Sequence, residues 1–168
     1  MSEDDSLAHS IQESCISQGW TLAVAESCTG GHLAAQLTRL PGSSQYFLGS
    51  IVAYSNVLKM RVLGVGADLL AIHGAVSGPG VGEMARGVLT LAGSDYGLAI
   101  SGIAGPGGGS LAQPVGTIWG AIASRTEILV WDFHLSGTRA KIIETSVDVL
   151  LSRFLSFIRR SHTSTTPP

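Results

Sequence analysis

Three stretches of the chain combine residue types that do chemistry with the spacing that chemistry needs. The first is Glu26-Ser27-Cys28-Thr29-Gly30-Gly31, in which hydroxyls and a thiol follow a short apolar run and precede a helical one. A serine at such a junction, with glycines that let backbone amides approach an oxyanion, is the arrangement of a nucleophile elbow. The same pattern also describes Ser27 or Thr29 as an ordinary helix cap with glycines tightening the turn. The second stretch, Tyr54-Ser55-Asn56 followed by Lys59, holds one of only two lysines in the chain. A solvated lysine is the ordinary outcome, but one placed near a helix start and partly buried is driven toward its neutral amine by both the dipole and desolvation. Such an amine can take the proton of a serine, since Ser-Lys pairs activate a hydroxyl without histidine.

The third stretch is Ser101 to Ser110, in which Gly102, Gly105, Gly107, Gly108 and Gly109 make a loop rich in backbone donors. It is neither a dinucleotide fingerprint nor a Walker A loop, so ATP binding is disfavoured. It suits a phosphate or carboxylate cradled by N–H groups, or else it is a connector. Arg139 opens the last helical run and is within sequence reach of an anion only if the fold brings it there. The five histidines show no ligand spacing, and Cys15 and Cys28 form no paired motif, so neither a metal site nor a disulfide is expected.

The elements that must carry these residues alternate. Leu7, Ile11 and Cys15 predict a helix over 6–18 ending at Gly19. Residues 21–26 read as a strand, Leu33 to Leu40 as a helix, and 47–54 as a second strand. Ser55 caps a helix closed by Gly64, and 67–73 form a short helical piece. Ser77 caps a helix whose stripe Val81, Met84, Ala85, Val88, Leu89 and Ala92 has the amphipathic period. Residues 96–101 form a third strand that runs into the glycine loop. Residues 116–124 and 128–135 predict a hairpin, and 139–160 a long amphipathic helix. The expected fold is therefore a layered α/β/α domain, with a mixed sheet of about five strands and a long C-terminal helix. Residues 1–160 form one domain and 161–168 a disordered tail.

Composition narrows the class. With 168 residues, 45% apolar, 13% charged and a net charge of -2, the chain has a large core and none of the basic excess that nucleic-acid binding demands. No run is long enough for a spanning helix, and the acidic start is unlike a signal peptide, so a cytoplasmic protein without membrane contact is expected. The 22 glycines are nearly twice the average share, and their clusters, Gly30-Gly31, Gly78 to Gly80 and Gly102 to Gly109, sit near borders between periodic segments.

Six motifs in order carry a resemblance to a known family. Residues 25–31 (AESCTGG), 41–44 (PGSS), 53–56 (AYSN) with Lys59, 73–77 (HGAVS), 102–106 (GIAGP) and 114–117 (PVGT) make the chain resemble the CinA C-terminal domain family over about residues 6–155. That resemblance implies a metal-free, cofactor-free deamidation of nicotinamide mononucleotide to nicotinate mononucleotide and ammonia. It implies Ser27 as nucleophile, Lys59 as base and Tyr54 as orienter or proton relay, with amides of the Cys28 to Gly31 turn or of the glycine loop holding the oxyanion. Expected substrate contacts are Glu26, Cys28, Thr29, Gly30, Gly31, Ser55, Asn56, Ser101, Gly102, Gly105, Gly107, Gly108 and Arg139. The expected partner is the small nucleotide alone, on a homo-oligomer. Larger members carry a further N-terminal domain, so the stand-alone form is expected here. The alternative is a nucleotide-binding regulatory module of the same fold that does no chemistry.

The chain departs from the family pattern at three places. Gly78-Pro79-Gly80 replace acidic residues after Val76-Ser77 and predict a frayed helix start. Gln113 stands where a lysine is common, altering charge at the rim. Ser101 replaces a frequent threonine and keeps the hydroxyl.

Overall fold

The computed structural model describes residues 3–163, and its core is one five-stranded sheet covered by helices on both faces. The order along the chain is α1 (Glu3–Gln18), β1 (Leu22–Glu26), α2 (His32–Leu37), β2 (Phe47–Val52), α3 (Asn56–Leu63), α4 (Ala67–His73), α5 (Gly78–Ala92), β3 (Tyr96–Gly102), β4 (Thr117–Ala123), β5 (Ile128–His134) and α6 (Arg139–Thr163). In space the strands run β2-β1-β3-β4-β5. The first three are parallel, and β4 and β5 are antiparallel, joined across the expected turn where Ser124 N donates to Glu127 O. This is the layered α/β/α architecture expected from the alternation of periods.

The pleat sorts side chains by size. Leu22, Val24, Leu98, Ile100, Ile118 and Ile122 face one side, where α1, α2 and α6 supply Ile11, Leu33, Leu150 and Phe154. Ala23, Ala25, Ala99, Ala121 and Ala123 face the other, where α5 brings Val81, Met84, Ala85 and Val88. An alanine face lets a helix sit close to a sheet, and α5 lies across all five strands. The approach is tightest at Gly97, where any Cβ would collide with the Ala85 carbonyl.

Two details differ from expectation. The start of α5 is regular, the helix beginning at Gly78 directly after its cap: Ser77 Oγ accepts from Gly80 N at 3.1 Å and Pro79 occupies the first turn. The glycines answer to packing, since a Cβ at Gly78 would lie 2.8 Å from the Trp119 ring and one at Gly80 3.0 Å from Ser77 Oγ. At the other end α6 continues through Thr163, three residues into the segment expected to be disordered, while 164–168 lie outside the described residues. No helix among the described residues is long and apolar enough to cross a membrane.

The connections create the site's location. From β1 the chain passes through α2 to the edge strand β2, then returns through α3, α4 and α5 on the opposite face to β3. Where neighbouring strands lead on to opposite sides in the strand order, as β1 does to β2 and β3 to β4, a crevice opens beyond their carboxyl ends. Here that crevice lies past β1 and β3, which end in Glu26 and Gly102.

Candidate active site

Ser27 is the first residue past β1. Its N–H donates to Ile100 O at 3.1 Å, continuing the pairing with β3, and its C=O accepts from Gly30 N at 3.2 Å, closing a turn. Gly30 (φ 60°) and Gly31 (φ 110°) both lie in the left-handed region, which is why the turn needs glycines there. The turn is held by Glu26. Its carboxylate is fully buried and accepts from Thr29 Oγ1 (2.7 Å), from the backbone N–H groups of Gly31, Leu33 and Ala34 (3.0 Å each) and from Ser50 Oγ (3.2 Å). Five donors satisfy a buried charge that would otherwise be prohibitive.

Lys59 arrives from β2 and α3. Ala53 N donates to Glu26 O at 2.9 Å, Ser55 Oγ caps α3 through Leu58 N, and the first turn of that helix points Lys59 inward. The side chain is 1% exposed. Nζ lies 3.0 Å from Ser27 Oγ, 2.8 Å from Ala53 O and 3.3 Å from Tyr54 O. Burial lowers its pKa, since desolvation disfavours the ammonium, and the nearby Cys28 opposes this. A neutral amine has two N–H bonds and one lone pair. In that form, with the two carbonyls taking the N–H bonds, the lone pair is free to accept from the Ser27 hydroxyl. Cys28, buried beside them, has its thiol pushed up to about 12, chiefly by desolvation, and so has no thiolate to offer near neutrality.

Around this pair is a cleft of 280 Å³. Its floor is Ser27, Cys28 and Lys59, and one wall is the glycine loop with Gly102, Gly105, Gly107 and Gly108. Ser101 also lines it, its hydroxyl donating to Ala75 O at 2.9 Å. Tyr54 and Arg139 close the rim: Arg139 Nη2 donates to Tyr54 Oη at 2.9 Å and Nη1 to Gly105 O at 2.8 Å. Among the described residues, the amides of Gly107 and Gly108 donate to no protein acceptor. No group of three or more His, Cys, Asp or Glu side chains suited to a metal occurs there either.

Six residues expected to touch substrate do not line the cleft. Glu26 and Thr29 are bonded to each other under the turn. Gly31 spends its N–H on Glu26 and Gly30 its own on Ser27, which removes both amides from the oxyanion candidates. Ser55 is occupied as the α3 cap, and Asn56 is an exposed residue in that helix's first turn. Conversely, Ala75, Val76, Ile103 and Ala104 line the cleft without having been expected to. Ala75 and Val76 sit between two helix ends that are legible in the sequence, Gly74 closing α4 and Ser77 capping α5. Nothing in two small apolar side chains says that their segment folds over Ser101.

The match extends to known proteins. The CinA C-terminal domain model aligns with residues 4–158. A CinA-like protein from Gemmatimonas aurantiaca is 44% identical over 150 residues, covering 89% of this chain and 35% of that one. The chain spans little more than a third of the length of the curated relatives it matches. Among solved structures, a competence-damaged protein (CinA) superfamily protein from Klebsiella pneumoniae superimposes with a TM-score of 0.90 at 36% identity, covering 94% of this chain and 98% of that one. The competence/damage inducible protein CihA from Agrobacterium tumefaciens also gives 0.90, at 34% identity over 93% and 96%.

Proposed function

The chain belongs to the CinA C-terminal domain family, and on that premise we propose that it hydrolyses the carboxamide of nicotinamide mononucleotide, releasing nicotinate mononucleotide and ammonia. The observation that carries this reading is the buried Lys59 Nζ, 3.0 Å from Ser27 Oγ, with its other hydrogen-bonding directions spent on carbonyls. Ser27 Oγ attacks the amide carbon as its proton passes to neutral Lys59. The resulting oxyanion is held by backbone N–H groups, with the Cys28 amide, next after the nucleophile, in the position an elbow uses. The C–N bond then breaks, and the proton held on Lys59 goes to the departing nitrogen, which leaves as ammonia. Water, deprotonated by the same amine, converts the acyl-serine to the carboxylate and frees Ser27.

The test is ammonia release from nicotinamide mononucleotide by the purified protein with a chelator present. Ser27→Ala removes the attacking oxygen from an irregular turn, so activity should fall by several orders of magnitude while the circular dichroism spectrum and Tm stay close to wild type. A variant retaining more than about a tenth of wild-type turnover would exclude Ser27 as nucleophile. Tight nucleotide binding by the wild type with no ammonia released would instead favour a binding module.

A further inference from the structure

The two walls of the cleft come from distant parts of the chain, and one side chain ties them together. The glycine loop leaves β3 after Gly102 and rejoins the sheet at Thr117; facing it are Ala75 and Val76, in the link between α4 and α5. Gln113 Nε2 donates to Val76 O at 2.6 Å, across 37 positions of sequence. The base of Gln113 is itself fixed: its N–H donates to Ser110 Oγ at 3.0 Å and its C=O accepts from Ser110 N at 2.8 Å. Three successive carbonyls of the facing link are thereby held by side chains, Gly74 O by Ser77, Ala75 O by Ser101 and Val76 O by Gln113. Ser77 is local and Ser101 belongs to a strand. Gln113 alone of the three reaches the link from the glycine loop, whose five glycines make it a segment with a large ordering entropy.

We propose that Gln113 is a positioning residue that clasps the glycine loop onto the Gly74–Ser77 link and so sets the affinity of the cleft for its substrate. Gln113 does not line the cleft and hydrogen-bonds to neither Ser27 nor Lys59. Its effect therefore passes through preordering of the walls, which lowers the entropy lost on binding and leaves the chemical step alone. This rests on the deamidase reading above. The feature that matters is a long side chain with an N–H donor at residue 113, so a lysine there should serve and a carboxylate, which sets one acceptor against another, should not.

Gln113→Leu, Gln113→Glu and Gln113→Lys test this in two ways. In ammonia-release kinetics the Leu and Glu variants should raise KM about five-fold, the order expected from one lost hydrogen bond, with kcat within about two-fold of wild type; Lys should restore KM. In hydrogen exchange read by mass spectrometry, the Leu variant should exchange faster in residues 103–116 and 74–77 and unchanged elsewhere. An unaltered KM in the Leu variant, a kcat that falls as far as KM rises, or unaltered exchange in both segments would each overturn the clasp. A wild type that releases no ammonia would overturn the deamidase reading separately. The clasp would then be judged by that exchange together with calorimetric titration of nicotinamide mononucleotide, where an unchanged Kd in the Leu variant overturns it.

Discussion

Lys59 is held where its ammonium is poorly solvated, and its usefulness depends on that. Among the described residues no carboxylate pairs with it, so the desolvation is opposed by two carbonyls, a hydroxyl and the neighbouring Cys28, and it prevails. Its pKa therefore lies below the ordinary 10.5. The base is the deprotonated form, so kcat/KM for deamidation should rise with pH and level off once the amine is neutral, at a midpoint below 10.5. Lys59→Arg should be almost as inactive as Lys59→Ala, because a guanidinium keeps its charge at any pH a protein tolerates. Initial rates of ammonia release for the three proteins across pH decide this. An arginine variant with substantial activity would make residue 59 an electrostatic anchor and end the Ser-Lys proposal.

The Glu26 carboxylate joins three elements, the end of β1, the start of α2 and, through Ser50, β2. Glu26→Ala would strip the acceptor from three backbone N–H groups and two hydroxyls in a buried place, where each unsatisfied donor costs about 1–3 kcal/mol. Destabilisation of at least about 3 kcal/mol is expected in urea unfolding, and a loss under about 1 kcal/mol would show that water replaces the carboxylate. This role was not legible in the sequence, where a glutamate beside a candidate nucleophile reads as a substrate contact. Strand alternation puts Glu26 and Ser27 on different sides of the chain, but which side faces the cleft is settled by the turn and by Ser50, a contact 24 residues away. Elements set by local period were legible: the α5 stripe, the β4–β5 hairpin, the capped start of α3. Glycines at Gly78 and Gly80 misled for a related reason, since propensity registers their flexibility and not the Trp119 ring or Ser77 hydroxyl that leaves no space for a Cβ. The joining of Ser27 to Lys59 lay between. Each residue stood out by type and position, while their 3.0 Å separation required β1 and β2 to be parallel neighbours.

At the scale of the whole molecule, the strand order puts the ends of β1 and β3 side by side and swings the start of α6 over them, so that Arg139 meets Tyr54 across 85 positions of sequence. The charge in the resulting cleft is asymmetric. Lys59 is driven toward neutrality at the floor, whereas Arg139 keeps its charge at the rim, where its partners are a carbonyl and a phenol and, among the described residues, no carboxylate. Beside it the amides of Gly107 and Gly108 have no protein acceptor among the described residues. A cation next to open backbone donors at a sheet's switch point suits an anionic group better than a neutral ring, and in the proposed substrate that group is the phosphate. Charge-assisted hydrogen bonds of this kind are about twice as strong as neutral ones, so their loss should be visible in the specificity constant. Nicotinamide mononucleotide should accordingly exceed nicotinamide riboside in kcat/KM by about 10-fold or more, and sulfate should inhibit competitively. Arg139→Ala should narrow the gap between the two substrates by weakening the nucleotide alone. Equal kcat/KM for nucleotide and riboside would sink the assignment, and would leave the glycine loop as a wall that shapes the cleft without reading charge.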